Sequence, residues 1–442
     1  MNADAGPREE EIHEPTAEPG NVSPTVLPVR IRRRLFLWLA ILVLLVAVGS
    51  PSGGMFEVAV SLLLKNQLQL SASQVSDFRA VAAIPIYLSA VFGFIRDAWN
   101  PLGMRDRGFI VLFGSLTVLL YAILAFVPMT FATLLSAILL LRVSFRLVSS
   151  AQNGLLSTLG QQHTMSGQIS ALWNVVLSAI GVVSLLLGGK LSDLLEAQGG
   201  DRAFRVLFLL CAAMVAGVVL YGWCRPGVVF DNIRPERRTG ARPLDDLKRL
   251  ANHWPVYPAL LIWLLWNFAP GTDTPLLYHL QRTYHATDTQ WGAWNAIFAA
   301  SFVPTFAAFG IICTRVPLGR LLIWGTVIGV PQILPLLFIH SVRDALIAAV
   351  PMGLMGGMAT AGYLALIIRS CPPGLQGTVL MMSAALEVAA ARFGDVLGTR
   401  LYDHFGGFQT CVIAITAVYA LILPTLLLVP RALVATPDSG TP

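Results

Sequence analysis

RPGVVFDNIRPERRTGARPLDDLKRLANHW, residues 225–254, is the one extended polar break inside an otherwise apolar bundle of runs. Its DDLKRL piece, 245–250, has the spacing of a short amphipathic helix. Six apolar runs precede the break, near 36–64, 77–97, 108–127, 130–151, 168–190 and 204–224. Six follow it, near 255–279, 290–313, 318–339, 345–369, 377–400 and 409–430. Each approaches or exceeds the roughly 20 residues a helix needs to cross a bilayer core of about 30 Å. The expected fold is therefore an all-α membrane protein of twelve transmembrane helices in two six-helix bundles, 35–225 and 255–430, joined by a linker over 226–254. Residues 1–34 are polar and without apolar periodicity and read as a disordered tail, and 431–442 form a second tail. GSPSGG at 49–54 interrupts the first run and predicts a kink there.

Composition agrees. The 442 residues are 55% apolar and only 12% charged, against about 25% charged in a typical soluble chain. There is too little charge to cover soluble domains. The net charge of +6 does not point to nucleic acid, because the basic residues sit between apolar runs and not on one basic face. That placement suits an anionic membrane surface. With the N-terminus inside, eighteen Lys and Arg fall on the cytoplasmic side, Arg30, Arg96, Arg249 and Arg369 among them, against eight on the other. Both termini are thus expected in the cytoplasm of a cell-membrane (inner-membrane) protein. Arg33-Arg34-Leu-Phe-Leu resembles a twin-arginine signal, but no convincing small-x-small cleavage site follows and many further runs do. A first transmembrane helix is the better reading.

Several function classes drop out. There is no GxxxxGK[ST] loop for ATP, and the seven histidines show no metal-ligand spacing. The five cysteines form no CxxC pair. No enzyme, cofactor or metal is expected, so any active transport would draw on an ion or substrate gradient.

The strongest local motif is Gly93-Phe-Ile-Arg-Asp97, followed by Trp-Asn-Pro-Leu-Gly103-Met-Arg105-Asp-Arg107-Gly. Gly93 permits close helix contact, and Asp97 at a helix end suits pairing with an Arg or a helix N-terminus. Small residue, acid and basic pair together resemble the loop signature of the major facilitator superfamily. The resemblance implies two parallel six-helix repeats working by alternating access, with Asp97, Arg105 and Arg107 in a cytoplasmic gating loop. The longer stretch IPIYLSAVFGFIRDAWNPLGMRDRGFI (84–110) is similar to the second span of the folate-biopterin transporter family. APGTDTPLLYHLQRTYHATDTQWGAWNAIFAA (269–300) resembles its seventh span and the run into the eighth. Departures are Ile84-Pro85, where members often have Lys-Pro, and SSAQNG at 149–154, where they often carry acids. The muropeptide permeases are an alternative relative.

Charges inside the runs are costly, roughly 2.5–3.5 kcal/mol each on insertion scales. Glu57 lies in the first run, Arg142 and Arg146 one turn apart in the fourth, Asp273 in the seventh, and Glu387, Arg392 and Asp395 in the eleventh. In the resembled fold the first, fourth and seventh helices line the central path, which implicates Glu57, Arg142 and Asp273. Each also has a structural reading: Asp273 as a cap at the Pro270–Gly271 break, Arg146 as a partner of Asp97, Arg392 and Asp395 as a mutually neutralising pair. Glu387 has no Arg four residues on and is the foremost proton-site candidate; Arg142 suits an anionic substrate. GLMGGMATAG (353–362) reads as a helix-packing surface. Trp263, Trp266, Trp291 and Trp294 read first as interfacial residues, with stacking on a flat substrate the alternative. The expected function is secondary transport of a small organic solute, with protons as the coupling ion and one chain acting alone. A drug or metabolite efflux permease and a non-transporting scaffold or sensor are the rivals.

Overall fold

The computed structural model describes residues 28–53, 56, 60, 64, 72–128, 130–196, 200–224 and 243–438. Glu57, Lys65 and most of the linker and tails lie outside the described residues. Among those described there is no strand. The helices are α1 (Val29–Gly49), α2 (Ala72–Ala82, Ile84–Tyr87 and Ser89–Ala98 in succession), α3 (Asp106–Leu124), α4 (Phe131–Gln162), α5 (Ser166–Glu196) and α6 (Gly200–Trp223). The second half holds α7 (Val256–Asn267, then Thr274–Tyr284), α8 (Asp288–Ile312), α9 (Leu318–Gly329, tightening into a 3-10 turn to Phe338), α10 (Val342–Ser370), α11 (Gln376–His404) and α12 (Gly407–Ala420, then Ile422–Leu426). The short helix Pro243–Asn252 precedes α7, where the DDLKRL pattern falls.

Among the described residues nine helices are long and apolar enough to cross a membrane. The three remaining segments fall short for informative reasons. α1 begins with four arginines, α7 is broken between Asn267 and Thr274, and α11 carries Glu387, Arg392 and Asp395. α4 runs eleven residues past the end of its apolar run at 151 because its polar extension is turned inward. Ser150 and Ser157 are 0% exposed and Gln152 2%.

Glycines set the closest helix contacts in the second half. A Cβ on Gly353 would lie 2.6 Å from the Ser301 side chain, and one on Gly357 2.8 Å from Thr305. α8 therefore packs directly into the glycine face of α10, as small residues allow between helices in lipid. A Cβ on Gly398 would come within 2.6 Å of the Gly271 amide, and one on Gly394 within 3.0 Å of the Ala269 amide. The broken part of α7 thus rests on α11. Three of the four tryptophans differ from the interfacial expectation. Trp263, Trp266 and Trp294 are buried, with Trp263 donating to Ser383 O and Trp266 to Thr360 Oγ1 while stacking on Tyr419. Packing between helices outweighs the average interfacial preference of the residue type.

The halves meet along α2–α11, α4–α11, α5–α8 and α5–α10. Their hydrogen bonds to each other cluster at one end. Gln161 donates to the carbonyls of Ile368 and Cys371 and accepts from Gln376; Ser170 donates to Ala361 O; Asn153 donates to Met381 Sδ. The molecule is sealed where α2, α4 and α10 finish and α5 and α11 begin.

Candidate gate and substrate path

The candidate gate follows from the motif upward. NPLGMR turns sharply after α2, with Gly103 at φ 66 and Arg105 at φ 52, and the Arg105 amide donates to Asn100 Oδ1 at 2.6 Å. The turn leaves Asp97 facing the first turn of α11. Its carboxylate accepts from the Gly377 amide (3.2 Å), the Thr378 amide (2.6 Å) and the Thr378 hydroxyl (2.7 Å). An acid in one half thus caps a helix of the other, where the unpaired amides and the helix dipole favour negative charge. Arg96 braces it, pairing with Asp97 at 2.6 Å and with Asp106 at 2.5 Å. Arg96 lies against Gly154 of α4, where a Cβ would overlap its guanidinium. A Cβ on Gly93 would sit 2.5 Å from Gly377 O. Arg107 donates to the Gly222 and Trp223 carbonyls at the end of α6, while Arg105 is exposed. Arg146 is not Asp97's partner; Arg96 takes that place.

Above this seal, the Asn153–Met381 bond forms a floor. Arg146 lies seven residues before Asn153 and Glu387 six after Met381. At 1.5 Å per residue both stand ~10 Å beyond the floor. Glu387 is exposed, yet it lies on the same face of α11 as the buried Ser383 and Ala390. It therefore faces a space between helices and not lipid. Arg146, half-buried, shares with Asn153 the face of α4 that is turned to α11. Among the described residues neither Arg146 nor Glu387 makes a hydrogen bond or an ion pair within 4 Å.

Arg142 behaves differently. It is 6% exposed and donates to Ala82 O (2.6 Å) and Pro51 O (3.4 Å). Those carbonyls mark the break in α2 and the turn after α1. Arg142 also lines a small recess with Phe56, Phe78 and Ile138. Asp273 is exposed at the break of α7, and its side chain does not cap the following helix. Asp395 does so from α11, accepting from the Thr274 amide at 2.9 Å and the Thr274 hydroxyl at 2.8 Å. Arg392 is exposed and not hydrogen-bonded to Asp395. The structure brings Arg146 and Glu387 to the facing helices α4 and α11 and Asp273, Arg392 and Asp395 to the α7–α11 contact; Asp97 lies at the α2–α11 seam. No group of His, Cys, Asp and Glu among the described residues could hold a metal.

The sequence profile described as "Major Facilitator Superfamily" matches residues 163–391, just over half of the chain. The chain belongs to the major facilitator superfamily. No curated protein sequence matches it. Among solved structures, the human organic anion transporter MFSD10 (TETRAN) is similar over 90% of this chain and 100% of its own, at 14% identity and TM-score 0.61. FucP, a Major Facilitator Superfamily transporter in the outward conformation, is similar over 89% and 98%, at 16% identity and TM-score 0.65. The proton:xylose symporter XylE matches over 89% and 96%, at 11% identity and TM-score 0.65. At these identities the likeness is one of fold. The superfamily is one of membrane transporters and not of enzymes, so the chain is an integral membrane transporter acting on small molecules.

Proposed function

We propose that the protein is a proton-coupled secondary transporter of a small organic anion, and that Arg146 and Glu387 share the work of coupling. The observation that carries this is their position on facing helices above the sealed floor, opposite in charge and without a direct partner. A scaffold would pair its interior charges; these two are held apart. When Glu387 is protonated, Arg146 is free to take an anionic group of the substrate. When the proton leaves, the carboxylate competes for Arg146 and favours release of the anion. Proton and anion thereby travel together, and opposite faces of the bundle supply and accept them as the halves rock.

The Arg-rich sealed end is read as the cytoplasmic one on the charge bias, which makes the state described here outward-facing. Asp97 and Gly93 then act as the inner gate, with Arg107 holding the loop to α6. The likeness to folate-biopterin transporters at 84–110 and 269–300 favours a flat carboxylate-bearing solute. One chain contains both halves of the path and acts alone. The test is uptake into proteoliposomes with a panel of pterins, peptides and organic anions, each with and without an inward proton gradient. Gradient-dependent accumulation of an anion supports the reading; accumulation of none, or only of cations, refutes it.

A further inference from the structure

The two halves are repeats, yet only the first carries the acid of the gate motif. α2 ends in Gly93-Phe-Ile-Arg-Asp97, and that acid caps α11 at Gln376-Gly377-Thr378. The matching pair in the other direction is the end of α8, Gly310-Ile-Ile-Cys313-Thr314, facing the start of α5 at Ser166-Gly167-Gln168. There is no acid at 314. The position is filled from elsewhere. Asp438 accepts from the Gly167 amide at 2.7 Å, the Gln168 amide at 3.0 Å and the Ser166 hydroxyl at 3.2 Å. Its side chain is fully buried and pairs with Arg369 at 2.7 Å. The parallel with Asp97 is close: a carboxylate on the first amides of a helix from the other half, an arginine bracing it, and a glycine letting it in. A Cβ on Gly377 would lie 2.7 Å from the Asp97 carboxylate, and one on Gly167 3.1 Å from that of Asp438.

The tail is fastened at several points. Arg369 donates to the carbonyls of Leu433 and Thr436, and the Asp438 amide donates to Cys313 O. We infer that the C-terminal segment 431–438 is the second half of the gate, with Asp438 supplying from the end of the second half the carboxylate that the α8–α9 loop lacks. The inference rests on the alternating-access reading but not on the proposed substrate or proton site. It follows that the transporter opens at this end only when Asp438 leaves the start of α5, and that anything binding the tail would bias the two states.

Two native cysteines report the state of this end. Cys313 touches the Asp438 site and Cys371 lies beside Gln161 on the other seam; both are buried. Burial raises both thiols above their ordinary range, Asp438 adding to the effect at Cys313, and Cys371 is pushed up to about 12. In the closed state they should resist alkylation. The experiment uses the full chain in proteoliposomes with the exposed Cys224 replaced by Ser, and follows labelling of each cysteine by a membrane-impermeant maleimide. Asp438→Asn should speed labelling of both Cys313 and Cys371 by about tenfold, the scale of one lost charge-assisted hydrogen bond. Asp438→Glu should restore slow labelling, and a chain ended after Ala435 should behave like the Asn variant. Faster labelling of Cys313 alone would mean local fraying of the tail and overturn the inference. So would labelling of Cys411, buried in α12, in the Asn variant and the shortened chain alike, because the carboxylate would then be needed for folding. Loss of transport without faster labelling would also overturn it.

Discussion

Replacing Asp97 by Asn isolates the charge of the first gate with little change of shape. The wild-type carboxylate accepts three hydrogen bonds from the start of α11, at 2.6–3.2 Å, and an ion pair from Arg96. Asn keeps one acceptor oxygen and places an NH2 against amide donors. Hydrogen bonds to a charged group contribute about 1.5–3 kcal/mol each, and an acid at a helix N-terminus roughly 0.3–1. The loss is limited because Arg96 keeps Asp106 as a partner at 2.5 Å. A net weakening of about 2 kcal/mol is expected, which lowers the ratio of closed to open gate about thirtyfold. The assay is disulfide cross-linking between Gln161→Cys and Gln376→Cys, positions whose side chains hydrogen-bond across the seam at 3.0 Å. Cross-linking should fall in the Asn variant, while equilibrium substrate affinity, set beyond the Asn153–Met381 floor, changes little. Unchanged cross-linking would refute the gate reading and leave the 93–107 loop as a topology signal only.

Three further outcomes are expected. Arg142→Ala strands the Ala82 and Pro51 carbonyls and should lower the melting temperature, at ~1–3 kcal/mol per unsatisfied buried group, whereas Arg146→Ala should leave melting nearly unchanged and weaken anion binding; melting curves beside binding isotherms separate the two. Gly93→Val places a side chain where a Cβ already meets Gly377 O at 2.5 Å, so the α2–α11 seam should fail to close, and the same cross-link should be lost. Asp395→Asn removes the acid that caps Thr274 across helices, which should destabilise the protein by roughly 0.5–2 kcal/mol in thermal unfolding.

The contact of Gly93 and Asp97 with another helix is legible in sequence because its determinants lie close together. Gly93 and Asp97 are one turn apart, and a helix-end acid has few uses. The break in α7 was legible from Pro270 and Gly271. What stayed hidden was the identity of trans partners. Asp395 and Thr274 are 121 residues apart, and Asp438 and Gly167 271; no local spacing signals such a cap. By sequence alone Asp395 pairs with Arg392, three residues away, because helical neighbours are all that sequence offers. Arg142 and Arg146 share a helix face, yet one is absorbed by two carbonyls and the other faces the interior space. Which carbonyls a helix break leaves unpaired depends on where α1 and α2 stop, and that is a tertiary matter. The tryptophans show the same limit: an interfacial preference is a statistical average, whereas Trp266 answers to Tyr419 and Thr360.

Coupling by the proposed route requires Glu387 to move the proton. In proteoliposomes holding an anionic substrate identified by the panel, Glu387→Gln should abolish accumulation driven by a pH gradient. It should leave counterflow exchange active, because exchange moves substrate both ways without releasing a proton. Gln preserves the size and polarity of the side chain, and Arg146 then stays available to the anion whatever the pH. Wild-type accumulation in the mutant would contradict the account and turn attention to Asp273 and Glu57 as the coupling acid.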